Sequence, residues 1–426
     1  AGPRYPAASA ERERLMAWER VVAATPDRAQ AWVGLGRQLF YKGRLLGIGD
    51  ADQQAQASFE RARELDAALL SPHQFLTQLA AATGDTTALR MTAGAYLQLD
   101  SIGDLSGFVR WRSATALGDS VGLTNIRRTF SGMPGPSLRT IALSNLYNAV
   151  EGRDAERALA VLRARTVRGS DRLDLMLAEH AVALNRGDLR RAQRAIDAID
   201  NSQPLSTLPE RLRVLDMLYA GGDSAIAARS VDRLVPYFSA STVRQSKQIR
   251  GVDSDTTLDG NDLCVAGQWH AAQGNRQAAT GAATSLTRRR DSSAPTCAAL
   301  IEAVLAVRYH APDADSRLAR LDSLLLSGPP GEVTEYANLA LARLYATRGN
   351  VRRALATVRR RSHMIEWPPY LAVQLHEEGK IAALAGDVDA AAAAYRRYLV
   401  LRANPDSAIS SEVEKVRSEL RRLTSP

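Results

Sequence analysis

The chain has 426 residues and a mass of 46.1 kDa, enough for two or three globular domains or one long repeat array. With 45% hydrophobic, 24% charged and only 5% aromatic residues it is neither disordered nor collagen-like and fits an aromatic-rich β-sandwich poorly, so an all-α fold is expected. The net charge of +9 is almost wholly arginine, since Lys42, Lys247, Lys380 and Lys415 are the only lysines, and it points first to acidic partners.

The sequence opens Ala1-Gly2-Pro3 with no basic-then-apolar leader, which reads as a processed product or a piece of a longer chain. Ala8 to Thr25, closed by Pro26, predicts a second helix without its partner. No stretch approaches the roughly 18 to 20 apolar residues of a membrane-spanning helix. Beyond Trp32 a glycine followed by Asp, Asn or Arg recurs at Gly49, Gly84, Gly118, Gly152, Gly187, Gly222, Gly274, Gly349 and Gly386. The gaps are 34 or 35 as far as Gly222, then 52, 75 and 37. The gap of 75 divides in two if a glycine-free turn lies at Ala311-Pro312, and the gap of 52 is one period plus an insertion.

In five units an alanine stands five positions after the glycine, at Ala192, Ala227, Ala279, Ala354 and Ala391. Four residues on come Ile196, Val231, Ala283, Val358 and Tyr395. A small residue and its i+4 neighbour form a helical contact face. The glycine supplies a positive-φ turn, and the Asp or Asn after it caps a second helix. Each unit therefore predicts helix, tight turn, helix. Prolines agree: Pro72, Pro134, Pro136, Pro204, Pro209, Pro295, Pro329, Pro330, Pro368 and Pro369 all precede or open a first helix. Between Pro236 and Asp262 the pattern breaks. The segment is rich in Ser and Thr, basic at Arg244, Lys247 and Arg250, then acidic at Asp253, Asp255, Asp259 and Asp262. It predicts an inserted loop, with an extra hairpin as the alternative, and divides the chain into arrays at 1–235 and 263–426 around a loop at 236–262.

These residues resemble the tetratricopeptide repeat (TPR), whose pattern is W-x2-L-G-x2-Y, then A-x3-F, then P. Trp32, Leu35 and Gly36 match its opening, Ala55 and Phe59 its middle, and Ala391, Tyr395 and Pro405 its last copy. The resemblance spans nearly the whole chain. It implies an all-α, right-handed superhelical solenoid of about ten helix-turn-helix units whose first helices line a concave face.

More specifically, the C-terminal half is similar to the TPR sensor regions of bacterial serine/threonine protein kinases and related signalling regulators. The matching stretches are Leu263 to Gly274, Pro295 to Ala299, Leu318 to Leu325, Leu344-Tyr345, Arg359 to Arg361, Trp367 to Tyr370 and Tyr395 to Leu401. The kinase motifs H-R-D and D-F-G are absent, so the resemblance implies a sensor or scaffold without catalysis. Cys264 and Cys297 stand 33 apart, nearly one period, which suits either a bridge between neighbouring first helices or two buried thiols. The family resemblance favours the disulfide, and with it an oxidising, extracytoplasmic compartment, periplasmic or at the cell surface, over a cytoplasmic one.

Other motifs have plainer readings. Gly118-Asp119-Ser120-Val121-Gly122 fits G-x-S-x-G, but a nucleophile elbow needs a preceding strand and Gly118 falls on the repeat turn. His73, His180, His270, His310, His363 and His376 include no i, i+4 pair, so no metal or cofactor site is expected. Asp253 to Asp262 lacks the glycine and glutamate of a calcium loop. The clusters Arg288 to Arg290 and Arg359 to Arg361 fall at second-helix ends, where cations complement the helix dipole, and they lack stacking aromatics, so nucleic acid is not an expected partner.

The inward positions counted from the turns are Leu212, Asp216 and Tyr219, then Tyr336, Leu339, Arg343, His376 and Lys380. Aromatic, apolar and cationic side chains together suit an extended peptide or a carboxylate terminus. The expected function is a non-enzymatic scaffold or sensor that binds a protein or peptide in the concave groove. The alternatives are a structural subunit of a larger, homo-oligomeric or membrane-associated assembly, and a helical-repeat enzyme or glycan-binding protein.

Overall fold

The computed structural model describes residues 8–147, 152–166, 169–202, 206–235, 259–289, 291–327, 332–361 and 370–424. Among these residues every regular element is helical and no strand occurs. A leading helix α1 (Ala8–Ala24) precedes the hairpins α2/α3 (Ala29–Gln38, Ala51–Leu65), α4/α5 (Leu70–Thr83, Thr86–Leu99), α6/α7 (Ser106–Leu117, Ser120–Thr129) and α8/α9 (Gly135–Tyr147, Arg153–Arg165). Next come α10/α11 (Gly169–Arg186, Leu189–Ser202), α12/α13 (Leu208–Ala220, Ser224–Leu234) and α14/α15 (Gly260–Gln273, Arg276–Thr287). The last are α16/α17 (Ala294–Arg308, Ala314–Ser327), α18/α19 (Glu332–Thr347, Val351–Val358), α20/α21 (Leu371–Leu384, Val388–Leu401) and a closing helix α22 (Ser407–Thr424). Ten helical hairpins thus fall among the described residues.

The turns form for the reason the sequence suggests. Gly84, Gly118, Gly187, Gly274, Gly349 and Gly386 all take positive φ, between 68° and 82°. The residue after each accepts backbone N–H bonds from the helix it starts: Asp85 from Thr87 and Ala88, Asp119 from Gly122, Asp188 from Arg191, Asn275 from Ala278, Asn350 from Arg353 and Asp387 from Ala390. Three turns depart from the pattern. Gly47 and Gly221 take the left-handed positions in place of Gly49 and Gly222, while Gly152 has φ −80° and stands at the N-cap of α9. The glycine-free turn before Pro312 uses His310, at φ 50°. The alanines and i+4 partners of the second helices are all buried, from Ala192 and Ile196 to Ala391 and Tyr395.

The chain divides into two compact units. One comprises Ala10–Val182 with Arg361–Ile365, the other Ala183–Arg360 and Glu366–Pro426 with Ala1–Ser9. This division falls within α10. Of the expected loop, residues 236–258 lie outside the described residues, as do His363, Arg290, Trp367 and Pro204, Pro329, Pro330, Pro368 and Pro369.

In the first unit, Phe59 and Phe75 stack at 4.7 Å in a core with Leu39, Phe40 and Leu79. A second core gathers Phe108, Trp111, Leu138 and Ile141. Asp154 ties it together, accepting from Trp111 Nε1 at 3.0 Å and from Arg127 at 2.7 and 2.9 Å. In the second unit one continuous core runs from Ala183 to Ile381. Burial of its leucine, isoleucine and valine side chains, roughly 1.5–3 kcal/mol each, is what holds the hairpins side by side.

Candidate partner-binding site

The site lies in the second unit, on first helices. On α12, Leu212, Asp216 and Tyr219 follow a spacing of four then three, so they share one face. On α18, Tyr336, Leu339 and Arg343 are spaced three then four and likewise share a face, and on α20 His376 and Lys380 stand four apart. The fold brings these three faces together. The Tyr219 ring lies 5.4 Å from that of Tyr336 and 5.7 Å from that of Tyr370, and the Arg343 guanidinium is 5.9 Å from the centre of the Tyr219 ring.

Much of this face is filled by the chain itself. Leu212, Tyr336 and Leu339 are fully buried, and Asp216 and Tyr219 nearly so. The Tyr219 hydroxyl donates to Gln268 Oε1 at 2.8 Å, and Gln268 Nε2 donates to the Cys264 carbonyl at 3.2 Å. The Tyr370 hydroxyl reaches Asp216 Oδ1 at 3.5 Å. Burial pushes the Tyr219 phenol well above its usual range, with the Arg343 charge opposing, so it stays a hydrogen-bond donor at neutral pH.

At the rim the side chains keep solvent access. Arg343 Nε donates to Glu377 Oε1 at 3.1 Å and Arg343 Nη1 to the Leu218 carbonyl at 3.4 Å. Lys380 Nζ also donates to Glu377, at 3.2 Å. The Glu377 side chain is 11% exposed against 32% for Arg343 and 48% for Lys380, so the carboxylate is the buried partner and the cations face out. Burial alone raises the Glu377 pKa, but Arg343 and Lys380 outweigh it and hold the carboxyl below its usual range. His376 Nδ1 is 3.6 Å from Glu412 and its ring 5.2 Å from that of Tyr398. Burial lowers its pKa, against the pull of Glu412 and Glu377, so the imidazole is neutral at pH 7.

Sequence counting missed Gln268, Tyr370 and Glu377. Gln268 stands four residues after Cys264 on α14, a helical repeat that marks the same face. Tyr370 precedes α20, where counting back from the turn stops. Cys264 and Cys297 form a bonded pair between α14 and α16, their Cα atoms 5.2 Å apart.

The remaining motifs fall in structural roles. Ser120 opens α7 between two helices, with Asp119 as its cap. Asp259 and Asp262, the only members of the acidic run within the described residues, both accept from Arg211, at 3.1 and 2.8 Å. Arg359 and Arg360 are engaged by Glu378 and Asp322. Among the described residues no group of three His, Cys, Asp or Glu side chains could hold a metal ion, and no helix is long and apolar enough to cross a membrane.

No family model matches the chain, and no curated protein matches it. Among solved structures it is similar to Naa15/Naa10 bound to HypK-THB, at 15% identity and a TM-score of 0.25, over 98% of this chain and 66% of that one. It is also similar to the P58(IPK) TPR domain (13%, TM-score 0.21, 93% and 99% covered) and to yeast Tom70 (12%, TM-score 0.25, 93% and 97% covered). The chain thus spans about two thirds of the length of the first of these.

Proposed function

We propose that the chain is a non-enzymatic protein-interaction scaffold or sensor module that holds the carboxylate end of a protein or peptide at the rim formed by Arg343, His376 and Lys380. One observation carries this reading: two outward-facing cations share the single buried carboxylate of Glu377. Arg343 keeps donors in a planar fork, and Lys380 is half exposed, so an incoming carboxylate finds charge-assisted partners beside the apolar ring of Tyr219. The polar groups further in are committed to bonds between helices, which supports a binding role over a catalytic one. The buried Cys264–Cys297 pair supports an oxidising, extracytoplasmic setting.

The test is fluorescence anisotropy of the full chain with a peptide library synthesised twice, once ending in a free carboxylate and once as the amide. The free acids are expected to bind about tenfold tighter or more, and the Arg343→Gln/Lys380→Gln variant is expected to lose that preference. Equal binding of acid and amide forms would sink the proposal.

A further inference from the structure

Gly187 differs from most of the turn glycines; at Gly274 a Cβ would meet Arg308 Nη2 at 2.9 Å, but Arg308 comes from the next hairpin. Gly84, Gly118, Gly221, Gly349 and Gly386 share its left-handed backbone, and a Cβ on any of them would meet nothing within 4 Å. A Cβ on Gly187 would stand 2.1 Å from Ile409 Cδ1 and 2.5 Å from Arg402 Nη1. The turn joining α10 to α11 is therefore a hole filled by chain from the far end of the sequence.

Four further bonds surround that hole. Arg402 Nη1 donates to the Leu184 carbonyl at 2.7 Å, across 218 residues of sequence. The Asp406 N–H donates to the Gly187 carbonyl at 3.0 Å. Asp406 Oδ2 accepts from the Arg190 N–H at 3.2 Å, in the first turn of α11. The Ala372 N–H, at the start of α20, donates to Asn185 Oδ1 at 3.1 Å. The C-terminal segment adds a second donor to the Leu184 carbonyl, which also accepts from the Gly187 N–H at 3.0 Å, and supplies an acceptor to an amide in the first turn of α11, a group that a helix start leaves unpaired.

The seam is also built around a buried charge. Arg402 is 2% exposed, its guanidinium 5.8 Å from the Tyr398 ring, and its direct acceptor on α10 is a neutral carbonyl. A cation held this way fixes geometry strictly but regains its hydration when released, so the contact is specific without being strongly stabilising.

We propose that residues 402–409 are an intramolecular clasp that closes the second unit on itself by plugging the Gly187 turn. Closure seats Tyr370 and α20 against Asp216 and Tyr219. It therefore assembles the rim in which Lys380 and His376 from α20 stand beside Arg343 and the Leu218 carbonyl. This last consequence, control of the carboxylate site, rests on the binding reading above, whereas the clasp itself does not.

Amide hydrogen exchange in the full chain tests it, read at Arg190, Ala372 and Asp406, the three backbone donors across the seam. Gly187→Ala is compared with Gly349→Ala, which carries the same left-handed strain at φ 76° in open space. Exchange at the three amides is expected to rise about tenfold or more in Gly187→Ala and to stay at the wild-type rate in Gly349→Ala. Equal rates in the two variants overturn the clasp. If Gly187→Ala does not fold, Asp406→Ala removes the cap on α11 from a partly exposed position. Faster exchange at Arg190 and Ala372 then supports the clasp, and unchanged exchange overturns it. The peptide titration decides only the binding reading, so the two can fail separately.

Discussion

A Cβ built on Gly379 would stand 2.3 Å from the ring of Tyr395, so the helices of the last hairpin approach through a glycine on one and an aromatic on the other. Gly36 and Phe59 repeat the arrangement in the first hairpin, at 2.8 Å. Gly379→Ala should therefore lower stability by about 1–3 kcal/mol, the usual cost of overpacking. Gly94→Ala should do the opposite. Gly94 lies within α5 with nothing within 4 Å of its added Cβ, so the loss of backbone freedom in the unfolded chain should stabilise by about 0.5–1 kcal/mol. Thermal denaturation of the two variants should move in opposite directions, and a shared direction would contradict this packing.

The Cys264–Cys297 pair closes a loop with a sequence separation of 33. Cys297→Ala, or reduction of the wild type, should lower stability by about 3–4 kcal/mol on the chain-entropy model. A denaturant midpoint indifferent to reductant would show that the two sulfurs do not bridge.

Two partly buried histidines set the response to mild acid. Burial lowers the pKa of both His270 and His376 below the ordinary 6.5, with Asp232 opposing at the first and Glu412, Glu377 and Glu419 at the second, where Lys380 assists. The unfolded chain then binds more protons than the folded one as pH falls through 6.5. Stability should drop from there until the folded-state pKa values are reached. Glu377, whose pKa is lowered below 4.5, adds a further loss only in stronger acid, as pH falls through its folded value. His376→Gln should flatten the first phase, as read by denaturant midpoints between pH 7 and 5, and an unchanged slope would remove His376 from this account.

Asp154 is buried beneath Trp111 and Arg127. Asp154→Leu should cost about 2–4 kcal/mol, because the Trp111 N–H is left without its acceptor inside the core and the partly buried arginine loses two charge-assisted bonds. Unfolding followed by tryptophan fluorescence should shift to lower denaturant. A midpoint within error of the wild type would mean that neighbouring groups take over both bonds.

The rim residues Arg343, His376 and Lys380 were legible from helical spacing, because a side chain's face on a helix follows from its position counted from the turn. Their value as a surface was not legible. Spacing places Leu212, Tyr336 and Leu339 inward as surely as it does Arg343, and only packing shows that the first three are buried. Glu377, one residue from His376, carries no signal in the period and acquires its role by facing α18.

The sequence by itself determined the hairpins. Gly84, Gly118, Gly187, Gly274, Gly349 and Gly386 mark turns because few other residues tolerate left-handed backbone, and the Asp or Asn beside each caps the next helix through contacts only two or three residues long. Only the tertiary structure decided that Tyr219 meets Tyr336 and Tyr370, and that Arg402 enters the turn at Gly187. Such contacts depend on the rotation between successive hairpins summed over several of them. That angle is set by the volumes of many packed side chains at once, and no local pattern of residues records it.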